Sequence, residues 1–177
     1  MATTPAQQLL PPLHPPFTRS APIRSLQDVQ RLEARPLAEA LPVQSTYEIF
    51  VNSAAAFGDK TALTFLPTAD PAAEPIRWSY AQLLTGIHQT ANLLHHLGVG
   101  PQDAVAVLLP GCLEYHLALW GGEAAGIVQP LNPMLTDEKI AAMMTLARAK
   151  VLIAYGELSW ILLGIVGLFW ECAVLFP

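Results

Sequence analysis

Between Val43 and Gly156 the apolar positions switch between two periods. Behind Ser45 and Glu48, an S-x-x-E capping box, Tyr47, Phe50, Val51, Ala54 and Phe57 recur at helical spacing. Gly58 is expected to end that helix as its left-handed residue. Thr61 to Leu66 is a short β-type run, and Pro67 to Pro75 is a loop, because Pro and Ala break any periodicity there. Ser79 and Gln82 form a second capping box. Leu83, Ile87, Ala91, Leu94 and Leu97 follow as one apolar stripe, which predicts a helix of about five turns, stopped by Gly98. Ala104 to Leu109 reads AVAVLL. A strand apolar on both faces belongs in a parallel sheet covered by helices. Pro110 and Gly111 turn the chain into a helix over Leu113 to Ala125, closed by Gly126. Ile127 to Leu131 is the next strand, whose end Gln129 and Pro130 place near an edge or a site. Thr136 caps a helix over Asp137 to Ala147, and Val151 to Tyr155 is a third strand. This order predicts an α/β fold: a partial doubly wound, mainly parallel sheet with flanking helices.

The flanks differ from this middle zone. Residues 1 to 42 hold half of the prolines and are expected to be a mostly disordered leader, with a short helix within Ser25 to Leu41 as the exception. The first charge is Arg19 and prolines interrupt every apolar run before it, so no signal peptide is expected. Residues 157 to 177 form an apolar tail. Leu158 to Pro177 carries one charge, Glu171, and an apolar C-terminal helix is expected there. Two readings of the tail stand. One is out-of-frame translation or a broken gene joined after Gly156. The other is membrane contact through Leu158 to Phe176, since a helix of that length spans about 30 Å and Arg148 and Lys150 precede it. A third class is a non-catalytic interaction module that binds through an open sheet edge.

Composition narrows the functions. Charged residues make up 13% of the chain, about half the usual share. Nine basic residues stand against fourteen acidic ones with no basic patch, which argues against nucleic acid as a partner. Cys112 and Cys172 make neither a disulfide framework nor a zinc pattern; they read as reduced, buried thiols of a cytoplasmic protein. His95 and His96 are adjacent, so they leave their helix on different faces and cannot share one metal; favourable charge at a helix end is their expected role. Glu114 and His116 have the wrong spacing for a zinc pair. Trp120 is expected to pack rather than to serve as a ligand platform. Cys112 has no base nearby in sequence to activate it.

Three stretches carry a resemblance. Trp78-Ser79-Tyr80-Ala81-Gln82-Leu83 is similar to an aromatic-rich helix start. Leu97-Gly98-Val99-Gly100-Pro101-Gln102-Asp103 leads into the buried run Ala104 to Pro110. Trp120 to Pro133 contains Ala125-Gly126-Ile127-Val128-Gln129-Pro130-Leu131-Asn132-Pro133. In this order they resemble the N-terminal region of the adenylate-forming (AMP-binding) enzymes, and the Leu131-Asn132-Pro133 ending looks like the acyl-CoA synthetases among them. The resemblance covers Thr46 to Gly156. It implies a parent reaction in which ATP activates a carboxylic (fatty) acid to an acyl-adenylate and coenzyme A then displaces AMP, with ATP, magnesium and coenzyme A as the parent family's cofactors.

The resemblance also implies a Ser/Thr/Gly-rich phosphate loop ending in Pro-Lys-Gly, where small residues admit backbone N–H groups to phosphate and lysine supplies charge. The lysines are Lys60, Lys139 and Lys150, and none follows such a run. Gly58-Asp59-Lys60 reads as a turn. The expectation is therefore a truncated, inactive N-terminal region with no catalytic, cofactor-binding or metal residue and no cofactor of its own.

Overall fold

A computed structural model describes residues 22–40 and 43–155. The short helix expected before residue 42 is two helices, α1 (Leu26–Glu33) and α2 (Leu37–Ala40), separated at Pro36. Ser25 caps α1 in a full capping box with Asp28, and no residue of α1 is buried. Then follow α3 (Thr46–Phe57), β1 (Thr61–Phe65), β2 (Ile76–Ser79), α4 (Tyr80–His96), β3 (Ala104–Leu108), α5 (Leu113–Ala125), β4 (Ile127–Pro130), α6 (Asp137–Ala147) and β5 (Ala149–Ala154).

The caps decide where the helices start. Ser79 accepts from the Gln82 amide at 3.2 Å while the Gln82 side chain accepts from the Ser79 amide at 2.8 Å, so the second box closes as expected. The first closes on one side only. Ser45 accepts from the Glu48 amide, but the Glu48 carboxylate takes the Gln44 amide at 2.7 Å instead of that of Ser45. Gly58 corrects another expectation: it is right-handed helical, φ −41 and ψ −47. Among the described residues the left-handed glycine is Gly98 at φ +82.

β3 sits between its two parallel partners in the order β4-β3-β5. Val105 lies opposite Val128 on one side and Val151 on the other. All five residues of β3 are buried, as a run apolar on both faces requires. On one face Ala106, Leu108, Leu152 and Ala154 pack against Ile140 and Met144 of α6. On the other, Val105, Val107, Val151 and Ile153 pack against Ala91 and Leu94 of α4 and Ala118 and Ala125 of α5. Helices thus cover both faces, and the doubly wound reading holds.

The expected stripe on α4 is buried through Leu83, Ile87, Ala91 and Leu94. Leu97 escapes it because it is already the C-cap. The strand at Ile76–Ser79 is not visible in the sequence pattern. It pairs antiparallel with β1, Phe65 opposite Ile76 and Thr64 opposite Arg77, in a separate two-stranded sheet. With four residues, two of them exposed, it has no apolar alternation to read.

Among the described residues no helix is long and apolar enough to cross a membrane. The apolar C-terminal helix expected over the tail, the contact through Leu158 to Phe176, Cys172 and most of the leader lie outside the described residues.

Candidate functional site

In an open parallel sheet, ligands sit beyond the carboxyl ends of the strands, where neighbouring strands send their connections to opposite faces. Here β3 feeds α5 on one face, and the chain from β4 crosses by α6 on the other to reach β5. A crevice of about 500 Å³ opens at that end, lined by Phe65, Leu109, Pro110, Gly111, Cys112, Glu114 and Tyr155. Leu109 is the last buried residue of the apolar run. Pro110 and Gly111 turn the chain so that Cys112, extended at φ −130, becomes the N-cap of α5.

The chemistry of this crevice is limited. Cys112 makes no side-chain cap hydrogen bond. Cys112 is half-buried rather than buried as expected; that partial burial pushes its thiol pKa up, and the Glu114 carboxylate adds to the rise. A raised pKa keeps it a thiol at neutral pH, the opposite of an activated nucleophile. Glu114 also lies in the first turn of α5, where its charge offsets the positive helix end that an anion would seek. Phe65, Leu109, Pro110 and Tyr155 make the remaining wall, which suits an apolar group better than a phosphate.

The other residues singled out in the sequence are dispersed. Lys60 lies 4.5 Å over the Phe57 ring in the turn between α3 and β1. Lys139 is exposed on α6. Lys150 is at the far end of the sheet, where its Nζ donates to the Gly98 carbonyl at 2.6 Å and to Asp103 Oδ2 at 3.1 Å. The Gly100 amide donates to the same Asp103 oxygen at 2.8 Å. That amide first, and Lys150 second, hold the Asp103 carboxyl below the usual range. These bonds join the end of α4 to the starts of β3 and β5, away from the crevice. His95 and His96 are both in the last turn of α4. The His95 ring donates from Nδ1 to the Val99 carbonyl at 3.0 Å, which closes the turn. Glu114 and His116 do not converge with a third ligand, and no group of three metal-binding side chains occurs among the described residues. Trp120 packs against Phe50 with ring centroids 5.1 Å apart.

Sequence reasoning missed His88. It sits on α4 with its Nε2 3.0 Å from the Tyr47 hydroxyl of α3. A polar residue on the exposed side of a helix gives no signal for a partner forty-one positions away.

Comparison with known proteins locates the chain among others. The model of the AMP-binding enzyme family matches residues 50–164. The chain is 31% identical over 143 residues to a marinolic acid–CoA ligase of Pseudoalteromonas sp., covering 78% of this chain and 22% of that protein. It is 33% identical over 117 residues to a crotonobetaine/carnitine–CoA ligase of Salmonella paratyphi A, covering 64% of this chain and 22% of that protein. In structure it is similar to a benzoate CoA ligase from Burkholderia xenovorans, with a TM-score of 0.62 at 20% identity, covering 75% of this chain and 25% of the other. The chain therefore spans about a fifth of the length of the curated relatives it matches.

Proposed function

The chain belongs to the AMP-binding enzyme family, and from that premise we propose that it is the N-terminal region of an acid–CoA ligase whose reaction needs residues this sequence does not hold. The parent reaction is the ATP-dependent activation of a carboxylic acid to an acyl-adenylate, followed by transfer to coenzyme A. The observation that carries this reading is the β4-β3-β5 parallel sheet with a largely apolar crevice at its carboxyl end, in a chain similar to two proteins that bear the names of acid–CoA ligases.

In this reading the crevice is one wall of a larger site, and the chain alone is inactive. Each of its lysines already has a place unsuited to phosphate: Lys60 over Phe57, Lys139 on an exposed helix face, Lys150 paired with Asp103. No Ser/Thr/Gly-rich run precedes any of them. ATP–pyrophosphate exchange on the purified chain, with a panel of fatty and aromatic acids, tests the point. No exchange is the expected result. Exchange above background means that this chain holds ATP without the signature loop, and the reading fails.

A second reading concerns the tail and rests on its single charge between Leu158 and Pro177. In it the chain is a membrane-attached, non-catalytic protein rather than a cytoplasmic one. Recovery of the whole expressed chain in the carbonate-extractable fraction rules that out.

A further inference from the structure

A second cavity, of about 280 Å³, lies in the helical layer and shares no lining residue with the crevice. Two pairs of side chains build it. Tyr47 and Phe50 are three apart on α3, and Trp120 and Glu123 are three apart on α5. Residues at that spacing share one face of a helix, so each helix presents a pair to the same space. The Phe50 and Trp120 rings meet at 5.1 Å with their planes 52° apart, forming a wedge. Tyr47 is held by its hydroxyl bond to His88, the two rings 5.7 Å apart. The buried Ile87 also lines the cavity.

Glu123 is the one charged side chain in the lining of this cavity, while His88 and His95 line the adjoining space that shares Tyr47 and Glu123 with it. Aromatic faces are electron-rich and attract cations. Glu123 adds a carboxylate to the same lining. The ion pairs among the described residues are Arg31–Asp28 and Lys150–Asp103, and Glu123 is in neither. Three aromatic rings and one carboxylate suit a cation whose own surface is apolar. A hydrated metal ion is a poor match, because it needs converging oxygen or nitrogen ligands and no such group occurs among the described residues.

We propose that this cavity binds a small, soluble organic cation of the methylated-ammonium class, with Tyr47, Phe50 and Trp120 as its walls and Glu123 as its counter-ion. The site is separate from the crevice and stands whether or not the parent reaction is that of an acid–CoA ligase.

Isothermal titration of the full chain with choline, and with the neutral isostere carrying a tert-butyl group in place of the trimethylammonium, tests it. Choline is expected to bind saturably and about tenfold more tightly than the isostere. The Glu123→Gln variant, at an exposed position, is expected to keep the parent melting temperature and to narrow that difference. Tyr47→Leu is expected to weaken choline with little effect on folding, since Tyr47 is also exposed. Equal affinity for the two ligands, or a Glu123→Gln variant that binds choline as the parent does, overturns the proposal. So does binding to phosphatidylcholine vesicles without binding of free choline, which assigns the cavity to a lipid surface.

Discussion

A Cβ at Gly126 would stand 2.6 Å from the Asp103 carbonyl oxygen and 2.9 Å from that of Gly100. Both are backbone atoms, and both belong to the turn that starts β3, so neither can yield without moving the sheet. Its φ of −165 is ordinary extended backbone; close approach, and not conformational freedom, requires glycine there. Gly111 is the contrast, where an added Cβ would meet nothing within 4 Å. Gly126→Ala is expected to cost about 1–3 kcal/mol by overpacking, and Gly111→Ala to stay within about 0.5 kcal/mol; urea unfolding of both variants checks the pair. The Asp103 carboxyl makes a second prediction. Its pKa is depressed in the folded state, so the unfolded chain binds more protons and stability rises with pH. That contribution is present above the ordinary carboxylate range and is lost as pH falls through the depressed native value. Asp103→Asn is expected to flatten the acid side of the stability–pH curve; a curve as steep as the parent's would mean that other carboxylates carry it. The Gly126 end of a helix is legible in the sequence, whereas the reason for glycine is not, because its neighbours come from a turn more than twenty residues earlier.

Helix starts are the most legible elements, since a cap is a local bond between residues three apart. Ser79 and Gln82 satisfy each other in both directions. Ser79→Ala is expected to destabilise the chain by about 1 kcal/mol, read as a lower urea midpoint at unchanged m-value. The same logic overreaches at α3, where Glu48 prefers the amide of Gln44: an S-x-x-E pattern fixes the spacing but not which of two adjacent amides the longer side chain reaches. At α6 the span expected from the pattern, Asp137 to Ala147, is the span observed, yet Thr136 makes no side-chain cap bond to the helix backbone. The helix ends at Arg148 in the left-handed region, φ 52, without the glycine that usually marks such an end. β2 is illegible because pairing with β1 makes it a strand, and its four residues carry no period of their own.

At the scale of the whole molecule, β4 and β5 each pair with β3 alone among the described residues, so each leaves an edge open. Ile127 on β4 is 52% exposed. The side chain of Gln129 donates to the Met143 carbonyl, while its buried Oε1 has no partner among the described residues. Met134 and Leu146 are almost fully exposed. Open edges and uncovered apolar side chains lower stability and favour association. The purified chain is expected to be only marginally stable, melting below about 55 °C, a mid-range value for a mesophile domain; a sharp two-state calorimetric melt above it would refute this.

By itself the sequence determined the α/β class, the parallel strand grammar, the buried β3 and the four buried positions of the α4 stripe. Each of these follows from periodicity and burial, which act within one element. It also carried the family resemblance, through short stretches whose order along the chain is enough. Tertiary structure alone decided which strands are neighbours, that Lys150 reaches Asp103 across forty-seven positions, and that Tyr47, Phe50, Trp120 and Glu123 line one cavity. Those facts depend on how α3, α4 and α5 pack together and on how β5 is laid beside β3. Packing brings distant positions together through shape and contact area, and no local pattern of polar and apolar residues encodes that meeting.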